Sequence, residues 1–134
     1  MVGLNGNGER PTGDYVLVVD DDPDVRRLIV DALALFGLQG LAAVNGQDAL
    51  HQIRENPPMA VILDLMMPSM NGFSVITHLR RQASSRSIPV IVMSGISDTP
   101  GSLGRLPGVV GVMPKGSFSI AQLRTLLSAA GLAA

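Results

Sequence analysis

Four acidic residues crowd into five positions, Asp20, Asp21, Asp22 and Asp24, and a fifth carboxylate, Asp64, interrupts the apolar run Ala60–Leu65. Ser94 ends another apolar run, and a third leads to Lys115, the only lysine beside nine arginines. Carboxylates gathered at one point repel, and they stay ionised together only when a cation joins them. An all-oxygen site with few carboxylates and room for water suits Mg²⁺, which often shares its site with a phosphate. A compact ammonium on a flexible stem suits a small anion beside such a metal, and arginine is not its equivalent. The plainer account of Asp20–Asp22 is a solvated, helix-capping turn. Against it, Asp20 follows four apolar residues, and burying Asp64 to no purpose would cost several kcal/mol.

These residues must be positioned by the elements that carry them. Tyr15–Asp20, Ala60–Leu65, Pro89–Ser94 and Gly108–Met113 are short, β-branched and continuously apolar, the pattern of strands buried on both faces of a parallel sheet. Leu41–Val44 is a weaker strand candidate. Val25, Leu28, Ile29, Ala32, Leu33 and Phe36 repeat as one helix face, with Asp22 as cap, Pro23 in the first turn and Gly37 at the end. Ala49, Leu50 and Ile53 mark a second helix after an Asn45–Gly46 turn, and Phe73, Val75, Ile76 and Leu79 a third. Ile120, Leu123, Leu127 and Ala130 mark the last, with Ser119 and Gln122 spaced as a capping box. Between Gly95 and Gly108, where a fourth of five helices is due, glycines and prolines leave at most a short helix from Pro100. The alternation predicts an α/β domain: a doubly wound, five-stranded parallel sheet with helices on both faces. In such sheets ligands bind beyond the carboxyl ends of the strands. Asp20–Asp22, Asp64, Ser94 and Lys115 all fall there.

Composition narrows the function classes. The chain's 134 residues suit one domain, with 1–14 read as a flexible tail and 15–131 as the folded part. A net charge of −1 offers no handle for nucleic acid or an anionic membrane. The absence of cysteine removes disulfides, thiolate metal sites and a cysteine nucleophile. No apolar run approaches a membrane span and no signal segment is visible, so a cytoplasmic location is expected. Charged residues are only 16% of the chain, below the roughly 25% usual, so each placed charge carries weight.

The segments VLVVDDDPDVRRLI, VNGQDAL, VILDLMMPSMNGF, IPVIVMSG and VMPKG resemble the receiver domain of two-component response regulators, over about residues 14–130. That resemblance implies a flavodoxin-like sheet of strand order 2-1-3-4-5, like that of the chemotaxis regulators. It implies that Asp64 is the phosphoacceptor, Asp21 a direct Mg²⁺ ligand and Asp20 a ligand mainly through water. The backbone carbonyl of Met66 would supply a further oxygen, with Mn²⁺ as an alternative to Mg²⁺. Ser94 would be the switch hydroxyl and Lys115 the contact to the phosphoryl group. The implied donor is a sensor histidine kinase or a histidine phosphotransfer protein. The implied product is a transient acyl phosphate, so the domain is a phosphoacceptor rather than a turnover enzyme.

The chain departs from the family in three places. Val112 stands where an aromatic switch residue is usual, Gly116 follows Lys115 where proline in a cis peptide is usual, and the fourth helix is broken. A non-proline cis bond costs about 2.5–4 kcal/mol, so a trans Lys115–Gly116 bond or a rearranged loop is expected there. All three lie on the face of the fourth helix, fifth strand and last helix, which many receivers use for output, so a downstream protein target is expected there. The competing readings are a phosphorylation-independent interaction module, a haloacid-dehalogenase-like phosphatase and a calcium loop. The phosphatase would want an acid where Met66 stands, and the calcium loop lacks spaced ligands. Because little chain follows the last helical pattern, a stand-alone receiver without an output domain is expected. His51, His78, Arg26–Arg27 and Arg80–Arg81 read as solvated, and Met66, Met67 and Met70 as packing residues.

Overall fold

A computed structural model describes residues 15–67, 72–95, 105–117 and 119–132. Along the chain run β1 (Val16–Val19), α1 (Pro23–Leu35), β2 (Gly40–Ala43), α2 (Gly46–Glu55) and β3 (Ala60–Asp64). They are followed by α3 (Gly72–Arg81), β4 (Val90–Ser94), β5 (Val109–Pro114) and α4 (Ile120–Ala129). Every strand pairing is parallel, in the order β2-β1-β3-β4-β5, as expected. The expected tail, Pro100 helix and Met70 lie outside the described residues.

Parallel strands need crossovers, and here the crossovers cover both faces. Leu17, Val19, Val61, Leu63, Val90 and Val92 point to one side and pack with Ala49 and Ile53 of α2 and Val75, Ile76 and Leu79 of α3. The intervening residues Val16, Val18, Ile62, Ile91 and Met93 point to the other, under Ile29 and Leu33 of α1 and Leu123 and Leu127 of α4. Central strands β1, β3 and β4 are therefore fully buried. The edge strands are not: Leu41 and Ala42 are exposed on β2, and Val109–Val112 are half-buried on β5. An edge strand has one neighbour, so a continuous apolar run does not guarantee two covered faces.

Helix ends form as their sequences dictate. The Asp22 carboxylate accepts from the Asp24 N–H at 2.9 Å with Pro23 in the first turn, and Ser119 Oγ accepts from the Gln122 N–H at 3.2 Å. Asn45 is a cap rather than a turn residue: its side chain accepts from the Asp48 N–H at 2.8 Å, while Asp48 accepts from the Val44 N–H at 3.1 Å. Leu28, Phe73 and Ile120, expected on core faces, are 48%, 44% and 41% exposed. Leu28 and Phe73 lie roughly a quarter-turn or more off their buried stripes, and Ile120 opens α4 a turn before its first buried residue. The Lys115–Gly116 bond is trans, as expected. No helix among the described residues is long and apolar enough to cross a membrane.

Candidate functional site

The β1–β3 register sets the site. Val19 pairs with Leu63, so the next residues, Asp20 and Asp64, leave adjacent strands side by side. Both are buried, at 0% and 1% exposure, while Asp21 is exposed. One carboxylate oxygen of each of the three lies within 4.8 Å of the other two. Lys115 enters from the end of β5, where its N–H donates to the Ser94 carbonyl at 2.9 Å. Its ammonium Nζ stands 2.8 Å from Asp64 Oδ2 and 3.2 Å from Asp20 Oδ1. The expected Asp20, Asp21, Asp64 and Lys115 thus meet at one point.

Ser94, buried at 5% exposure, ends β4 one residue beyond Met93, the partner of Asp64, and pairs with Pro114. It lies on the same edge of the sheet. Met66 is 67% exposed rather than packed, whereas Met67 is buried. The Met66 N–H donates to Asp64 Oδ1 at 3.0 Å, which fixes that carboxylate from the opposite side to Lys115.

Asp20 is held differently. Its Oδ1 accepts from the Asp22 N–H at 2.8 Å as well as from Lys115, but its buried Oδ2 has no hydrogen-bond partner. Burial raises the Asp20 pKa; the Asp22 N–H opposes this, Asp64 adds to it, and Lys115 lowers it again. Burial alone would lower the Lys115 pKa, but the hydrogen bond and charge of Asp64, with those of Asp20, leave it raised. A buried carboxylate oxygen without a partner, beside two further carboxylates, is the donor set of a hard divalent cation. These residues fit Mg²⁺.

Three features escaped the sequence reading. Gly72 opens α3 where a Cβ would lie 2.8 Å from Leu65 Cα and 2.9 Å from the Asp64 carbonyl oxygen, so only glycine lets the helix approach the end of β3. Its signal was its place in the segment containing Asp64. Arg26 is half-buried, not solvated, and its Nη1 donates to the Asp20 carbonyl at 2.8 Å. Arg80 is likewise half-buried: Nε donates to Pro107 O at 2.8 Å, and Nη1 to Arg86 O at 2.8 Å and Ile88 O at 2.9 Å. Arg27, Arg81, His51 and His78 are exposed, as expected.

A five-stranded doubly wound sheet with a carboxylate cluster at the carboxyl ends of its central strands defines a flavodoxin-like domain with a polar site at the switch point. Residues 16–125 match the model of the response regulator receiver domain, and the chain belongs to that family. It is similar to the transcriptional regulatory protein PrrA of Mycobacterium tuberculosis, at 44% identity over 86 residues, which are 64% of this chain and 36% of that protein. It is also similar to the probable transcriptional regulator ycf27 of Porphyridium aerugineum, at 34% identity over 63% of this chain and 34% of that protein. The chain thus spans about a third of the length of these curated relatives. Among solved structures it resembles the receiver domain of the Francisella response regulator 1452, with TM-score 0.76 and 29% identity over 89% of this chain and 98% of that one. The chemotaxis protein CheY4 of Vibrio cholerae is similar, with TM-score 0.77 and 25% identity over 88% and 98% of the two chains.

Proposed function

We propose that this receiver accepts a phosphoryl group on Asp64 from the phosphohistidine of a sensor kinase or a phosphotransfer protein. The observation that carries this reading is the Lys115 ammonium bridging Asp64 and Asp20 inside a three-carboxylate cluster. A divalent cation, Mg²⁺ or alternatively Mn²⁺, would be held by Asp20, Asp21, Asp64 and the backbone carbonyl of Met66. When bound it would neutralise charge on phosphoryl oxygens.

The chain's own residues do the rest. Asp64 is fixed by the Met66 N–H on one oxygen and by Lys115 on the other, so its carboxylate is oriented before the donor arrives. A carboxylate oxygen forms a bond to phosphorus as the phosphorus–nitrogen bond to the donor imidazole breaks, and the electron pair stays on that imidazole. Forming the acyl phosphate removes the carboxylate charge that Lys115 contacts, and the ammonium follows the charge to the phosphoryl oxygens. Ser94, on the same edge, supplies a hydroxyl that new acceptor oxygens can recruit. The domain is a phosphoacceptor that assists its own modification rather than a turnover enzyme, and a cytoplasmic place suits that role.

The signal leaves through the face expected for output, of which β5 and α4 are described. Val112 is half-buried there against the α2–α3 side of the core, so the domain switches without the usual aromatic residue. With a net charge of −1, the domain contacts proteins rather than nucleic acid or membrane. The curated relatives are named as transcriptional regulators; a part in transcription would come through a partner or a further segment. The test is ¹⁹F NMR with Mg²⁺ and beryllofluoride, which mimics the phosphoryl group. Bound fluorine signals are expected for the wild type and none for Asp64→Asn; an unbound wild type would leave a phosphorylation-independent interaction module.

A further inference from the structure

The β1–α1 turn carries two of the three clustered acids, Asp20 and Asp21, and one side-chain contact ties that turn to the helix after it. Beyond Val19 the sheet ladder ends, so the Asp20 carbonyl needs a partner other than a strand. Arg26 supplies it, through Nη1 at 2.8 Å. The choice is informative on two counts. Arginine in the first turns of a helix opposes the helix dipole, so dipole electrostatics do not explain it. And among the described residues Arg26 pairs with no carboxylate, although five aspartates lie within six positions of it. The cation goes to the one uncharged oxygen that fixes the peptide joining Asp20 to Asp21.

We propose that Arg26 is a positioning residue for divalent-cation binding. By clamping the Asp20 carbonyl it holds the Asp20–Asp21 peptide, and so sets the exposed Asp21 carboxylate against the buried Asp20 and Asp64. It touches neither the cation nor the phosphoryl group. The inference rests on the divalent-site reading of the acid cluster.

Charge and positioning predict opposite signs. Removing a positive charge near an acidic site tightens cation binding if charge alone matters, whereas loosening the turn weakens it. Calorimetric titration of Mg²⁺ into the metal-free protein separates the two. Arg26→Ala is expected to weaken Mg²⁺ binding by about 10-fold, the usual cost of losing a partner behind the ligands. Its melting temperature in a chelator is expected to stay within a few degrees of the wild type. Arg26→Gln, which tests the same sign with a gentler change should the alanine variant fail to fold, is expected to bind more weakly than the wild type. Arg26→Lys is expected to bind more tightly than Arg26→Gln, since the longer lysine stem carries its donor to the carbonyl and the shorter glutamine amide does not reach as far; charge alone predicts the reverse. Affinity equal to or above wild type in the alanine or glutamine variant overturns the inference. A wild type that takes no Mg²⁺ at millimolar concentration overturns the divalent-site reading, and the inference with it.

Discussion

Lys115 and Arg80 are both partly buried cations, one at each end of the sheet, and they are partnered in different ways. Lys115 meets two carboxylates at the carboxyl ends of the strands. Arg80, at the end of α3, meets carbonyls: Pro107, Arg86 and Ile88, with Ser85 at 3.4 Å. Burial lowers the Arg80 pKa with no anion among the described residues to offset it, whereas the carboxylates leave that of Lys115 raised. A cation paired with anions can exchange them for another anion, which is what a phosphoryl site needs. A cation held by backbone carbonyls staples chain segments and has no anion to exchange, although the buried Nη2 of Arg80 is left without a partner. Arg80 ties α3 to the 82–89 loop and to the turn before β5. Gly108, at φ 77°, sits directly under its guanidinium, where any Cβ would collide.

The comparison predicts that chemistry is lost at one end and stability at the other. Lys115→Met should slow phosphorylation by acetyl phosphate about 10²–10³-fold, the usual loss when a preorganised charge is removed, with a far smaller change in urea midpoint. Lys115→Arg should be impaired less than the methionine variant but remain measurably slow, because a planar fork does not replace a compact ammonium. Arg80→Ala should cost about 2–3 kcal/mol in urea unfolding, since it strands several carbonyls that a charged donor served, while Mg²⁺ affinity is retained. Gly108→Ala should cost about 1–2 kcal/mol, as both the positive φ and the guanidinium oppose a side chain. A slow-phosphorylating Arg80→Ala that is fully stable would erase the distinction between the two ends.

How much of this the sequence showed follows from the same contrast. Central parallel strands read as unbroken apolar runs, so Asp64 stood out by interrupting one and Asp20 by ending another. Strand order then followed from the family resemblance, and the structure reproduces it. Arg26 and Arg80 were misread as solvated because their partners are backbone carbonyls, which have no residue type. Leu28 and Phe73 were misplaced because a helix face has flanks, and periodicity alone does not say where burial stops. The edge exposure of β5 depends on the order of strands, which no single run of residues records.

The smallest expected effect is on pH. In metal-free protein the folded state holds the Asp20 proton more tightly than the unfolded chain, because burial raises its pKa above 3.8. Its contribution to stability therefore falls as pH rises from that value through the raised one. Mg²⁺ should reverse this trend and release protons there, read from urea midpoints with chelator or Mg²⁺. The raised Lys115 pKa acts at the other end: its contribution is present below 10.5 and lost as pH climbs through the raised value.

The most direct measurement is the intact mass of the wild type and Asp64→Asn after incubation with acetyl phosphate and Mg²⁺, followed by peptide mapping. One phosphoryl group is expected on the wild type, located at Asp64, lost in hydroxylamine and absent without Mg²⁺. A wild type that stays unmodified, or an Asp64→Asn protein modified to the same extent, would contradict Asp64 as the phosphoacceptor.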